Sequence, residues 1–396
     1  MNQLLESTFN YLKIPMHSPS NLLPAGINEA LPYDAARLEL LRRKLLNLLN
    51  THAYHLCMPP LIEFINTDKN RIGSDIALAT FQVTDQLSGK VMGFRSDMTP
   101  QIARMDLQIS DYDAVTRLCY IGSILKTRPD NFGGSRSLIQ LGAELYGNSN
   151  LESDLEVILL MISTLRAAGI TQKITLDLGN VSIFNSLAKK HNLDGELLKQ
   201  TFSAISQKAA HSLPNVLSTA AHQDFIKLLE LTGTTKILEK ALRYFPDIAA
   251  IHAIVSICAS IEAFLPDINL HIDLTELRGY RYYTGLLFGA FIQSEGQAIA
   301  LGGRYDNITM NKSSRAAVGF STDLNKLLPY YISAPKAKIK TILAPSLSFN
   351  LELEEAVKRL RDAGNIVIRD LNQRNTQHIL DHNLIFDEIN KAWILD

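Results

Sequence analysis

The chain has 396 residues, with 46% hydrophobic residues and 39 Lys and Arg against 40 Asp and Glu. That length suffices for one large core and a smaller domain, and the cancelling charge gives no overall footprint for nucleic acid, which calls for clustered positive charge. Three cysteines, Cys57, Cys119 and Cys258, stand far apart in apolar surroundings, which excludes a disulfide framework or a paired zinc ligand set.

The first residues, MNQLLESTFNYLKIP, lack the basic start and apolar run of a signal peptide. Apolar stretches are broken by charges well short of a membrane span, so the expected location is the cytoplasm. Pro32 and Asp34 open a helix in which leucines from Leu38 to Leu49 recur at helical spacing. The segment HLCMPPLIEF reads as a strand at an edge or an interface, because Pro59 and Pro60 forbid a central ladder. Helix and strand together suit either a dimer contact or simple core packing.

Residues 75–95 alternate loosely and predict two antiparallel strands with Ser88 and Gly89 in the turn. Thr99 is expected to cap a short helix, with Pro100 in its first turn. RLCYIGSIL and SLIQLGAELYG read as a strand and its return around the loop KTRPDNFGGSRS. ESDLEVILLMISTLRAAG is a helix and KITLDLGNVSIF a strand. Residues 185–265 are mostly helical by pattern, interrupted at Pro214 and Gly233, and form a helical insertion. INLHIDLTELR, YYTGLLFGAFIQ and QAIALGG are strands, and RAAVGFSTDLNKLLPYY a strand passing into a helix. Beyond a boundary near residues 329–335, the tail 331–396 predicts a small α/β domain. Its strand PKAKIKTILAPS precedes a helix stopped at Gly364, then come the strand NIVIRDL, a helix over TQHILDHN and a last strand. Strands separated by a long helical stretch argue for an α+β core on an antiparallel sheet, because a doubly wound parallel sheet needs regular alternation.

Polar residues gather in four places: Arg95, Asp97 and Thr99; Gln140 and Glu144; Glu276, Arg278, Arg281, Tyr282 and Tyr283; and Gly302 to Asp306. Gln140 and Glu144 lie four apart on one strand and share a face. Such a set would hold a zwitterionic amino acid, with Asp97 or Glu144 against its ammonium, tyrosine and glutamine on a polar side chain, and arginine on its carboxylate. Taken alone, these residues read as readily as surface ion pairs and turns. His52, His55 and His271 have no metal-ligand partner at standard spacing and read as structural. GGS at 133–135 lacks the spacing of a phosphate-binding loop. No metal or cofactor is expected.

LPAGINEALPYDAARLELLRRKL, MPPLIEF, FRSDMTPQIAR, TRPDNFGGSRSLIQLGAELYG, ELRGYRYYTG, LGGRYD and VGFSTDLNKLL occur in this order over residues 20–330. In order and spacing they resemble the family of ATP phosphoribosyltransferase regulatory subunits, paralogues of class II histidyl-tRNA synthetase. The resemblance implies a class II aminoacyl-tRNA synthetase-like core over 1–330, its antiparallel sheet flanked by helices, with 185–265 as the helical insertion. Residues 331–396 would be a reduced relative of the anticodon-reading domain. It also implies a histidine-binding set of Asp97, Thr99, Gln140, Glu144, Arg278, Tyr282 and Tyr283.

The ATP side departs from the synthetase pattern. Lys126 stands for the arginine of the second class motif, and the following glutamate is lost near Thr127–Arg128. Asp323 and Lys326 stand for the glycine and arginine of the third motif. A lysine is a point charge and not a planar fork, and adenylation depends on fixed positive groups around the phosphoryl centre. The implied function is therefore a non-catalytic subunit that activates a short-form catalytic subunit in the first step of histidine biosynthesis and confers feedback by L-histidine. It would dimerise through the first long helix and MPPLIEF within a hetero-octamer, without tRNA or membrane. The alternatives are a divergent histidine-activating enzyme and a scaffold with a vestigial pocket.

Overall fold

The computed structural model describes residues 22–65, 78–109, 114–129, 134–277, 279, 282–306, 315–332, 339–346, 350–371 and 380–396. Two compact units divide the chain. One holds residues 26–28 and 38–331; the other holds 332–396 with the described residues 22–25 and 29–37.

Helix α1 (Pro32–Thr51) begins at the expected proline and buries Leu38, Leu41, Leu45, Leu46 and Leu49 along one stripe. The next segment splits at its prolines. Strand β1 (His55–Cys57) joins the edge of the main sheet, parallel to its neighbour. Strand β2 (Ile62–Phe64) joins a separate three-stranded sheet with β3 (Gln82–Thr84) and β4 (Val91–Phe94), in the order β2-β4-β3. The β3–β4 turn is built on Asp85, whose carboxylate accepts from the Leu87 and Ser88 amides, and Gly89 takes φ 71°.

Helix α2 (Thr99–Ile109) leads to the long hairpin β5 (Thr116–Leu125) and β6 (Ser137–Tyr146), then to helix α3 (Leu151–Ala167) and β7 (Ile174–Asn180). The strand expected to run to Phe184 stops at Asn180. The Asn180 side chain accepts from the Ser182 amide and starts helix α4 (Val181–Lys190). Helices α5 (Gly195–Ser206), α6 (Thr219–Leu229), α7 (Ile237–Tyr244) and α8 (Ala249–Phe264) follow, with the two-residue strand β8 (Thr232–Gly233) among them. The unit closes with β9 (Asn269–Asp273), β10 (Leu286–Ile292), β11 (Ala300–Arg304), β12 (Ala317–Asp323) and the short helix α9 (Leu324–Leu327).

The nine-stranded sheet has the order β1-β5-β6-β12-β11-β10-β7-β9-β8. Six of its neighbour pairs are antiparallel, as expected, but β1–β5 and β7–β9 are parallel. The second parallel pair has a plain cause: the helical segment between β7 and β9 acts as the crossover that parallel neighbours require. Helices α3 and α8 cover one face, where Leu141, Ala143, Leu145, Leu176, Leu178, Val318 and Phe320 join a single large core. Side chains alternate along a strand, so Tyr120, Glu144, Gly319 and Gly303 lie on the opposite face.

In the other unit, β13 (Thr341–Ala344), α10 (Leu351–Asp362), β14 (Ile366–Arg369), β15 (His382–Asp387) and β16 (Ala392–Leu395) form a four-stranded sheet, order β14-β13-β15-β16, packed on α10. Gly364 ends α10 with φ 85°. Of the helix expected over TQHILDHN, residues 376–379 lie outside the described residues, and His382 and Asn383 belong to β15.

Candidate functional site

Cross-strand register sets the floor of the site. Glu144 on β6 faces Leu118 on β5 and Gly319 on β12, and Gly319 faces Gly303 on β11. The two glycines leave room above the sheet. A Cβ at Gly319 would fall 1.5 Å from Oε2 of Glu144, and one at Gly303 would fall 2.7 Å from the Tyr283 ring. A Cβ at Gly279, where φ is 61°, would meet the other edge of that ring at 2.8 Å, so the Tyr283 ring lies between two glycine backbones.

The residues expected to bind an amino acid form one connected set. Gln140 donates from Nε2 to Asp97 Oδ1 at 2.8 Å, and its Oε1 accepts from the Met98 amide at 2.9 Å. Asp97 Oδ1 also accepts from the Thr99 amide at 3.1 Å. The carboxylate of Asp97 therefore takes the capping role expected of Thr99, and the Thr99 hydroxyl turns inward. It donates to Glu144 Oε1 at 3.0 Å and lies 2.9 Å from the Tyr120 hydroxyl.

Glu144, only 1% exposed, accepts from Thr99, from the Tyr120 hydroxyl at 3.0 Å and, on Oε2, from the Tyr305 hydroxyl. Burial pushes its carboxyl up to about 8, further raised by the charge of Asp97, while the three donated hydrogen bonds pull the other way. The phenols of Tyr120, Tyr146, Tyr282 and Tyr305 are held well above their usual range, first by burial and then by neighbouring acids. Tyr282 stacks on Tyr305 with centroids 5.1 Å apart and meets Tyr283 edge-on at 5.0 Å. Its hydroxyl is buried and has no hydrogen-bond partner among the described residues. A buried polar atom left this way costs free energy until a partner reaches it.

Six of the seven expected histidine-binding residues therefore converge: Asp97, Thr99, Gln140, Glu144, Tyr282 and Tyr283. Arg278 lies outside the described residues, as do Tyr280 and Arg281. Tyr120 was not expected in the site, and Tyr305, noted within the polar group Gly302 to Asp306, was not in the expected histidine-binding set. Strand alternation offered a signal for Tyr120, which stands two residues from Leu118 and Gly122 on the same face. Two of the arginines singled out earlier hold the framework. Arg95 donates to the Ser123 and Pro59 carbonyls, each at 2.7 Å. Arg304 is buried against Asp154 at 2.8 Å and against Ser153.

Lys126, Asp323 and Lys326 also form a group. Asp323 Oδ1 accepts from the Asn325 and Ile139 amides, both at 3.1 Å, capping α9 and joining it to β6. Burial raises its carboxyl, and the charges of Lys326 and Lys126 oppose that rise. Asp323, which stands for a glycine of the third motif, is thus a cap, its carboxylate accepting from two amides.

The family model described as histidyl-tRNA synthetase matches residues 26–327. The ATP phosphoribosyltransferase regulatory subunit of Thioalkalivibrio sulfidiphilus is 42% identical over 361 residues, covering 88% of this chain and 91% of that protein. A structure described as an ATP phosphoribosyltransferase regulatory subunit/histidyl-tRNA synthetase from Bacillus halodurans is similar in fold, with TM-score 0.75, 23% identity, and coverage of 91% of this chain and 95% of that one. A chain of an ATP phosphoribosyl transferase (HisG:HisZ) complex from Thermotoga maritima aligns with TM-score 0.56 at 16% identity, over 75% of this chain and 98% of that one.

Proposed function

This chain belongs to the histidyl-tRNA synthetase family and, within it, to the ATP phosphoribosyltransferase regulatory subunits, and on that premise we propose that its pocket senses L-histidine. It is a regulatory subunit of ATP phosphoribosyltransferase, without catalysis of its own, in histidine biosynthesis. Asp97, Thr99 and Gln140 take the ammonium, Glu144 with Tyr282 and Tyr283 reads the imidazole, and Arg278 takes the carboxylate. The observation that carries this reading is the continuous chain of hydrogen bonds from Gln140 through Asp97 and Thr99 to Glu144 and Tyr305, beside the unpartnered Tyr282 hydroxyl. The buried Glu144 carboxyl set among hydroxyls suits a nitrogen of an aromatic ring, and Asp97, linked to it through Thr99, suits an ammonium.

ATP activation does not fit the neighbouring positions. Lys126 and Lys326 replace forked arginines with point charges, and Asp323, in place of a glycine, is taken up as a cap. The partner is the short-form catalytic subunit, in a hetero-octamer whose regulatory copies dimerise through α1 and residues 58–64 in the cytoplasm. No helix among the described residues is long and apolar enough to cross a membrane. The core through residue 330 carries the pocket, and residues 331–396 form an appended domain too small and too near neutral to read tRNA.

The test mixes the chain with the catalytic subunit and follows phosphoribosyl-ATP formation with and without L-histidine. Glu144→Gln should raise the histidine concentration for half-inhibition by about tenfold, the loss of one hydrogen bond to the ring, and leave activation intact. Equal sensitivity in wild type and variant removes Glu144 from the pocket. Sustained pyrophosphate exchange with ATP and histidine by the isolated chain would overturn the assignment as non-catalytic.

A further inference from the structure

We propose that helix α2 transmits occupation of the pocket to the strip at residues 58–64, with Gln101 and Arg104 as the positioning residues; this rests on the histidine reading above. The first turn of α2 is tied to β6 by the pocket's own groups. Gln140 holds the Met98 amide and Asp97, and Glu144 holds Thr99. Those acceptors are already occupied: Asp97 Oδ1 takes two donors, and Glu144 Oε1 takes two. A ligand bringing an ammonium and a ring N–H must share or displace these bonds, and each one displaced from Asp97 or Thr99 releases the start of α2.

The other flank of the same helix grips the strip. Gln101 donates from Nε2 to the Pro60 carbonyl at 2.9 Å, and Arg104 pairs with Glu63. Pro59 and Pro60 lie outside the ladder that begins at β2, and their carbonyls are held by side chains. Arg95 holds the Pro59 carbonyl from the β5 side, where it is fixed by Ser123. The strip is thus held by the β2–β4 ladder, by Arg95 through its side chain at Pro59 and its amide at the Leu61 carbonyl, and twice by α2. Gln101 Oε1 is buried and has no hydrogen-bond partner among the described residues. Such an acceptor gains free energy wherever a donor reaches it. The strip turns Met58, Leu61 and Phe64 outward, 71%, 47% and 54% exposed, so a shift of α2 reaches an apolar surface. A helix that both sites bias is a physical route for coupling, and the coupling must be reciprocal.

Hydrogen exchange of the full chain, with and without L-histidine, tests this alongside calorimetry. In wild type, histidine should alter exchange of the pocket strand 140–146 and of the amides of residues 61–65, the latter by about fivefold or more, the low end of allosteric coupling. In Gln101→Met/Arg104→Met, the heat of binding and the change at 140–146 should persist while the change at 61–65 disappears. Glu63→Gln should give the same loss from the strip side, should the double variant fail to fold. Histidine binding with a silent strip in wild type, or a strip response that survives in the variants, overturns the coupling and leaves the pocket standing. Absence of both heat and change at 140–146 overturns the pocket itself.

Discussion

Replacing Glu144 with glutamine should flatten the dependence of stability on pH. The carboxyl is enclosed by Thr99, Tyr120 and Tyr305 and lies over Gly319, with burial lifting it from 4.5 to about 8. An acid raised in this way stays protonated in the folded chain while the unfolded chain releases its proton. Its contribution is therefore complete below about pH 4.5 and is lost as pH rises through about 8. At about 1.4 kcal/mol per unit, the loss is about 3 kcal/mol by pH 7 and at most about 5 kcal/mol in all. Glutamine does not titrate. Its oxygen can keep the Thr99 and Tyr120 bonds, and its amide nitrogen can donate to the Tyr305 oxygen, whose own proton can turn toward the Tyr146 hydroxyl at 3.2 Å. The steric cost of the exchange is accordingly small, about 1 kcal/mol. Urea midpoints read by far-ultraviolet circular dichroism at constant slope supply the comparison. Wild type and Glu144→Gln should differ little at pH 5 and separate by about 3 kcal/mol in favour of the variant as pH approaches 8. Curves that run parallel across that range would refute the account of Glu144 as a buried acid with a raised proton affinity.

Gly319→Ala puts a Cβ where Oε2 of Glu144 lies, so it should abolish histidine binding in calorimetry and lower stability by about 1–3 kcal/mol. Asp323→Ala removes the acceptor for the Asn325 and Ile139 amides. It should lose about 1–2 kcal/mol in urea unfolding and leave pyrophosphate exchange at background. Arg304→Met strands Asp154 without its buried partner, and the expected loss is about 3–5 kcal/mol by the same assay.

Much of the site was readable along the chain. Gln140 and Glu144 are four apart on a strand, and alternation alone puts them on one face. Asp97 and Thr99 stood out as one polar cluster, the resemblance of FRSDMTPQIAR to a family segment made them histidine contacts, and the structure brings both within hydrogen-bond reach of that strand's side chains. Tyr305 was visible inside LGGRYD, yet its hydroxyl meets Glu144 from 161 residues away. No local pattern encodes that contact. Asp323 shows the converse: its identity was plain, but whether its carboxylate faces a ligand or two amides depends on where β6 lies.

Local chemistry wrote the elements into the chain. Leucines at helical spacing gave α1, Ser88 and Gly89 the β3–β4 turn, and two prolines the removal of HLCMPPLIEF from a central ladder, though not its division into β1 and β2. Those effects act within a few residues and so survive in a linear reading. The register of β6 against β12 and β11 was settled only when the sheet closed, because it is fixed by packing against α3 over long separations. That register puts two glycines beneath Glu144 and Tyr283, and the space they leave is what makes the acids and tyrosines a site.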